Sequence, residues 1–103
     1  MAKYVLAYTG GRMAETEEAQ QASMAAWQSF LGGLGDALVD MGNPFGASAS
    51  VTADGGNGTA PSRLSGYSII TADSLAEAAE KAKGAPVLDN GGAVEVYEAI
   101  EIM

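Results

Sequence analysis

The chain has 103 residues and a net charge of −8, from 13 acidic and 5 basic side chains. It contains no cysteine and no histidine, which excludes disulfides, thiolate metal sites and every catalytic or metal-binding arrangement that needs an imidazole. We therefore expect no cofactor, and the acidic balance argues against a nucleic-acid partner because phosphates would be repelled.

This length suits one domain, and we expect a single domain over residues 1–103. No apolar run approaches the roughly 18 residues that a membrane span needs, and the N-terminal apolar run is too short for an export signal. We expect a soluble, cytoplasmic protein without a membrane partner.

Alternating aromatic and aliphatic residues at positions 3–9 predict the first strand, which Gly10-Gly11 ends. A long amphipathic helix is predicted next, with Thr16 as its N-cap. Its apolar stripe recurs in steps of three and four residues: Met24, Trp27, Leu31, Leu34, Leu38 and Met41. Because the stripe keeps its phase across three intervening glycines, we expect one continuous helix that ends at Gly42.

The second half of the chain begins with small residues at positions 45–52, which predict a weak strand, and a glycine-rich turn follows. Positions 66–72 predict a strand that leads directly into a helix over positions 75–82. Ser74 and Glu77 have the spacing of a capping box at the start of that helix.

The last strand is predicted over positions 93–103. Its apolar face carries Val94, Val96, Ile100 and Ile102, and Glu98 alone is charged on that face. Val94 and Val96, or their counterparts on the first strand, are candidates for the side of the sheet that the helices leave open.

The order strand, helix, strand, strand, helix, strand predicts an α+β ferredoxin-like βαββαβ fold, an antiparallel four-stranded sheet with two helices on one face. The other face then carries an apolar patch that is large for a monomer. Its residues on the central strand are either Tyr67 and Ile69 or Ser68 and Ile70. A second copy could cover the patch, so a homodimer through the sheet face is predicted.

Three segments of the chain resemble YCII-related domain proteins: residues 27–44, 66–86 and 91–96. The second is the most specific, since Gly66-Tyr67, Ala72-Asp73-Ser74 and Lys83-Gly84-x-Pro86 follow one another at the family's spacing. The resemblance implies a dimeric α+β barrel, in which two ferredoxin-like subunits pack sheet against sheet.

The chain departs from that family in two places. The Asp-Gly-Pro-Phe motif of one branch is absent, and Asp54-Gly55-Gly56-Asn57 stands in that region. The enzymatic role proposed for some members depends on a histidine–aspartate pair, which a chain without histidine cannot supply. That role is therefore not transferred to any residue here.

Several side chains are candidates for a site. Tyr8, Arg12, Asn43 and Tyr67 lie at or near predicted element ends, where ligand-binding clefts open. Arg12 either holds a small carboxylate or is a surface arginine. Trp27 either anchors the helix in the core or stacks on a planar ligand.

Carboxylates give two further hypotheses. If the last strand's apolar face looks into a barrel, burial would raise the pKa of Glu98 and make it a general base. A local bulge, or a strand that ends near Tyr97, would instead leave Glu98 in water. Asp36 and Asp40, four residues apart on the predicted helix, are either a solvated face or a shared acid–base or cation site. We predict no metal site, because two carboxylates provide too few oxygens.

Two functions remain open from these residues. The first is a binding or accessory module without a histidine-based catalytic site, with a small organic ligand. The second is a cofactor-free lyase or isomerase, of the lactone isomerase or dehydrochlorinase type, which acts on a small organic acid or ring compound through Glu98 or Tyr8 in the barrel cleft.

Overall fold

The computed structural model describes residues 2–11, 15–58 and 62–100, and over these residues the chain has an α+β fold. The helices and strands are β1 (Ala2–Thr9), α1 (Glu17–Leu34), β2 (Leu38–Asp40), β3 (Ser50–Val51), β4 (Asn57–Gly58), β5 (Leu64–Ala72), α2 (Leu75–Ala82) and β6 (Ala93–Ala99). Four of the strands form an antiparallel sheet in the order β2-β5-β1-β6, and β3 and β4 pair separately. The predicted ferredoxin-like class is confirmed. None of the helices within the described ranges has the length and apolar character to cross a membrane.

Alternation along β1 divides the sheet into two faces. Tyr4, Leu6 and Tyr8 are buried on one face, where Ala78 and Ala82 of α2 join them in the core. Side chains of α1 pack on the same cluster: Trp27, Phe30 and Leu34. Both helices therefore cover one face, as predicted.

The helix α2 begins as its sequence predicts. The Ser74 hydroxyl accepts a hydrogen bond from the Glu77 amide at 3.1 Å. The Glu77 carboxylate in turn accepts from the amide of Asp73 at 3.2 Å, one residue earlier than the capping box implies. Glu77 also pairs with Lys81 at 3.7 Å on the wet side of the helix.

The helix α1 begins at the predicted Thr16 cap, whose side chain accepts from the Ala19 amide at 3.0 Å. The prediction that it continues to Gly42 is wrong. It ends at Leu34, where Gly35 takes a φ of +56° and opens a 3₁₀ turn over Gly35–Ala37. The next apolar residue of the stripe, Leu38, belongs to β2 and pairs with Ile70 of β5. The closely spaced glycines weaken the helix, and the free edge of β5 provides backbone partners for the residues that follow.

The predicted strand over positions 45–52 is also wrong as the second strand of the sheet. That place is taken by β2, and Ser50–Val51 pairs only with Asn57–Gly58 in the small separate hairpin. Most of its side chains are small, and its two large apolar residues, Phe45 and Val51, are both exposed, so the segment buries little apolar surface against the core.

The last strand ends at Ala99, and Ile100 beyond it is 72% exposed. Residues 101–103, which the last-strand prediction includes, lie outside the described residues. The placement of Val94 and Val96 on the open face is wrong, because both pack on the core under the helices. Register explains this: they pair with Tyr8 and Leu6, whose side chains are buried on that face.

The open face of the sheet is instead formed by the alternate residues. Val5 pairs with Ile69, and Ala7 pairs with Tyr67, so these side chains lie on the face away from the helices. Of the two pairs that the sequence left open, Tyr67 and Ile69 are the ones on this side, and both are half-buried. Ser68 is buried under the helices instead.

Candidate functional site

A cavity of about 290 Å³ lies between α1, the end of β1 and the segment that follows β2. Its walls are mostly apolar, and the lining residues are Tyr8, Trp27, Leu31, Met41, Gly42, Asn43, Pro44, Gly66, Tyr67 and Ser68. Four of the five predicted ligand-binding residues are therefore brought together in one cavity. The fifth, Arg12, lies outside the described residues.

The polar centre of the cavity is a short chain of hydrogen bonds. The Tyr8 hydroxyl donates to the Ser68 Oγ at 2.7 Å, and the Ser68 hydroxyl donates to the Met41 carbonyl at 2.7 Å. Tyr8 and Ser68 are both buried, so each would be costly to leave without a partner. This series of hydrogen bonds links β1, β5 and the segment after β2.

Burial raises the pKa of Tyr8, and the hydrogen bond to Ser68 only partly opposes that effect. The phenol is therefore neutral at pH 7. Since its hydrogen is directed to Ser68, its oxygen lone pairs can accept a hydrogen bond from a bound molecule.

Trp27 forms one wall of the cavity and is also part of the core. Its ring meets the ring of Tyr8 edge-on, with centroids 4.9 Å apart and planes at 67°. A second edge contact to Phe30, at 6.0 Å, holds it from the helix side. Because these contacts fix the ring, the core-anchor interpretation holds, and the ring also lines space that a ligand could fill.

The rim opposite Trp27 follows the edge of β5. Gly42 has a φ of +75°, and a Cβ added there would stand 1.6 Å from the Tyr67 carbonyl oxygen. Its amide donates to the Asp40 carboxylate at 2.8 Å. The Tyr67 amide donates to the Asn43 carbonyl at 3.3 Å, and the Tyr67 ring stacks on Phe45. This segment lies close against β5 and holds Asn43 at the mouth.

Glu98 lies away from the cavity. It is exposed, and it pairs with Tyr4 across the sheet, whereas Tyr8 pairs with Val94. Four residues of β1 separate the two positions, which is about 13 Å along a strand. Its face turns toward the helices, so the expectation that it faces into a barrel is wrong. Glu98 is exposed to water, although β6 continues to Ala99 and does not end near Tyr97.

The two aspartates of the predicted long helix are also separated. Asp36 is in the 3₁₀ turn after α1 and Asp40 is in β2, because the helix ends before either of them. Across residues 2–11, 15–58 and 62–100, no group of three or more acidic side chains is placed to hold a metal ion.

The sequence did not point to Ser68, Leu31 or the backbone of Met41 as parts of this site. A signal for Ser68 was present, since it alternates with Ile70 and Ala72 and is the hydroxyl residue among them. The position of Met41 could not be found, because the helix pattern assigned it to α1.

Comparison with known proteins adds no further constraint on this cavity. No family model, no curated protein and no solved structure matches the chain. Function is therefore inferred from the geometry and chemistry of the cavity.

Proposed function

We propose that this protein is a binding module that takes a small, uncharged organic ligand in the cavity lined by Tyr8, Trp27 and Ser68. The observation that carries the proposal is the buried Tyr8–Ser68 hydrogen-bonded pair in an otherwise apolar cavity. Binding sites for small molecules commonly combine apolar walls with a few placed polar groups.

The ligand class follows from the size and charge of the cavity. A volume of about 290 Å³ suits one ring with a short substituent. Among the described residues, those that line the cavity carry no charged side chain, so they offer an ionised ligand no partner in place of its lost hydration. A ligand hydroxyl or amide hydrogen can instead be accepted by the Tyr8 oxygen.

A cofactor-free lyase or isomerase remains the alternative, but the same observations favour it less. Such an enzyme needs a general base at the substrate. Among the described lining residues, Tyr8 carries an ionisable side chain on the helix side of the sheet, and its raised pKa keeps it protonated at neutral pH. Glu98 is too distant to serve there.

We also propose that two copies pack through their open sheet faces, as in the dimeric α+β barrel of the YCII-related proteins. Support comes from the apolar centre of that face, where Val5 and Ile69 are half-buried neighbours and Tyr97 is 56% exposed. Lys3 lies at one end of the face and Glu95 toward the other, so a two-fold copy with reversed strand direction brings opposite charges together.

Binding is tested by fluorescence of Trp27, the only tryptophan in the chain. Benzyl alcohol is the probe, and benzoate is its charged counterpart. We expect a saturable change in Trp27 emission with benzyl alcohol and a much weaker one with benzoate. Leu31→Phe, which fills the cavity from α1, should weaken benzyl alcohol binding about fivefold or more.

The matched control is Met24→Phe, which enlarges a side chain on the same helix that is 63% exposed. It should keep the wild-type affinity. The proposal is overturned if Trp27 emission does not respond to benzyl alcohol, or if Leu31→Phe and Met24→Phe bind it equally well while circular dichroism shows both variants folded.

A further inference from the structure

A second cavity, of about 180 Å³, lies beside the first at the loop end of the sheet. Its walls include Gly10, Gly11, Ser23, Ser65 and Asn90, and Trp27 lines this cavity as well as the first. One side chain is therefore common to two spaces that differ in chemistry.

The secondary structure places the two cavities in one line. Ser23, Trp27 and Leu31 are spaced four residues apart on α1. Ser23 lines the second cavity, Leu31 lines the first, and Trp27, between them, lines both. The helix rise makes the span from Ser23 to Leu31 about 12 Å. On the sheet side, Ser65 and Gly66 are consecutive on β5 and line the second and first cavities. The two spaces are therefore adjacent stretches of one trough between α1 and β5, with the Trp27 ring between them.

The second stretch is the more polar of the two. Its polar lining residues are Ser23, Ser65 and Asn90; Gly10, Gly11, Trp27 and Val87 complete the lining. The Ser65 hydroxyl donates to the Tyr8 carbonyl at 3.2 Å, which leaves its oxygen as an acceptor. The Asn90 amide group donates to the Pro86 carbonyl at 3.3 Å, which leaves Oδ1 free to face a ligand donor.

The wall behind this stretch is closely packed. A Cβ added at Gly92 would stand 2.4 Å from the Thr9 carbonyl oxygen. The backbone just before β6 therefore lies in contact with the backbone at the end of β1. Asn90, just before that contact, ends a 3₁₀ turn over Pro86–Asn90 that Gly91 closes at a φ of +82°. The polar groups are thus held by ordered backbone.

We infer that the two cavities form one cleft for a two-part ligand, with a ring beside Tyr8 and an uncharged carboxamide-like head near Ser23, Ser65 and Asn90. A carboxamide both donates and accepts, which matches the amide oxygen and the hydroxyls that line the second cavity. No charged side chain lines that cavity among the described residues, so an ionised head has no partner there. This inference rests on the proposed function, because the ring occupies the same site.

The test uses 4-phenylbutyramide, whose chain places a carboxamide beyond the ring, with benzyl alcohol and 4-phenylbutyrate for comparison. We expect the amide to bind about tenfold more tightly than benzyl alcohol, since it adds one or two hydrogen bonds and some apolar contact. Amide resonances of Gly10, Gly11 and Asn90 should shift with 4-phenylbutyramide in heteronuclear NMR spectra. Ser23→Leu should lower its affinity about fivefold or more.

Ser29→Leu, an equivalent change at an exposed position of α1 outside both cavities, is the control and should keep wild-type affinity. If benzyl alcohol binds but 4-phenylbutyramide binds no more tightly, the two-part cleft is overturned and the proposed function stands. The inference is also overturned if 4-phenylbutyrate binds more tightly than the amide. If benzyl alcohol itself fails to bind, the proposed function and this inference fall together.

Discussion

Tyr8 and Ser68 show how two polar residues are accommodated in the middle of an apolar sheet. Each is buried, and each has its hydrogen-bonding groups satisfied by the other or by the Met41 carbonyl. These hydrogen bonds stabilise only one arrangement of β1, β5 and the segment after β2, because a shifted register would leave buried polar groups without partners.

Tyr8→Phe should lower the free energy of unfolding by about 1 kcal/mol, since it removes the hydroxyl that donates to Ser68. Ser68→Ala should cost more, about 2 kcal/mol, because it leaves both the Tyr8 hydroxyl and the Met41 carbonyl without that partner. Urea unfolding followed by circular dichroism measures both. Tyr97→Phe, which removes an exposed hydroxyl, should stay within about 0.5 kcal/mol of wild type. Equal losses in all three variants would contradict the role of the buried pair.

The raised pKa of Tyr8 predicts a dependence of stability on pH. The unfolded phenol ionises near its ordinary value of 10.0, whereas the folded protein retains that proton to higher pH because the side chain is buried. The stabilisation is therefore complete below pH 10.0 and is lost as the pH rises through the folded pKa.

Tyrosinate absorbance checks this pKa directly. The difference between wild-type and Tyr8→Phe titrations should have its midpoint above 10.0 in the folded protein. In denaturant the midpoint should return to about 10. A folded midpoint at or below the denatured one would contradict the burial of this phenol.

At the scale of elements, the end of α1 and the segment after β2 show two different uses of glycine. Gly32 is in the last turns of α1, and a Cβ there would meet no atom within 4 Å. Gly42 has a positive φ and lies against the Tyr67 carbonyl, so no larger residue fits while this segment stays on β5. The first glycine weakens a helix, and the second permits a contact that forms the cavity rim.

The two alanine variants should therefore change stability in opposite directions. Gly42→Ala should destabilise the protein by about 3 kcal/mol, through the left-handed backbone and the clash with β5. Gly32→Ala should stabilise it by about 0.5 kcal/mol, because alanine favours the helix and meets open space. Thermal unfolding by circular dichroism compares them. A tolerated Gly42→Ala would show that the segment does not lie against β5 as described.

At the scale of the whole molecule, both helices of the described residues cover the same face of the sheet. The opposite face combines apolar residues at its centre with Lys3 and Glu95 toward its ends. The cavity lies on the helix side, so pairing of two copies through the open face leaves the proposed ligand site free.

Tyr97→Lys tests the proposed dimer without disturbing the core, because the side chain is more than half exposed at 56%. A charge at this position should raise the dimer dissociation constant about tenfold or more, since it is desolvated when two faces pack. Sedimentation velocity measures the change, and Met24→Lys, on the outer face of α1, is the matched control. A wild-type protein that is monomeric at micromolar concentration would overturn the dimer.

Local signals in the sequence were sufficient for β1, β5, α2 and the start of α1. Each of these has a period, a cap or a turn that is complete within a few residues, such as the Thr16 cap or the Ser74 and Glu77 pair. The predicted order of elements also gave the fold class, although it assigned the second strand of the sheet to positions 45–52 and not to β2. The sequence indicated Tyr8, Asn43 and Tyr67 as site candidates only because they lie near element ends. It indicated Trp27 only as a core anchor or a stacking partner, and it did not show that the four residues meet in one cavity.

Tertiary structure decided what the local pattern left ambiguous. Leu38 and Met41 continue the helical period of α1, yet Leu38 pairs with Ile70 because a free strand edge offers hydrogen bonds that a glycine-weakened helix does not. The pairing of β6 with β1 likewise turned Val94 and Val96 toward the core and left Glu98 in water. The sequence by itself determined which segments are helix or strand where the signal is local. The faces, the β2 edge and the cavity depend on contacts between residues far apart in the chain, which only the folded sheet brings together.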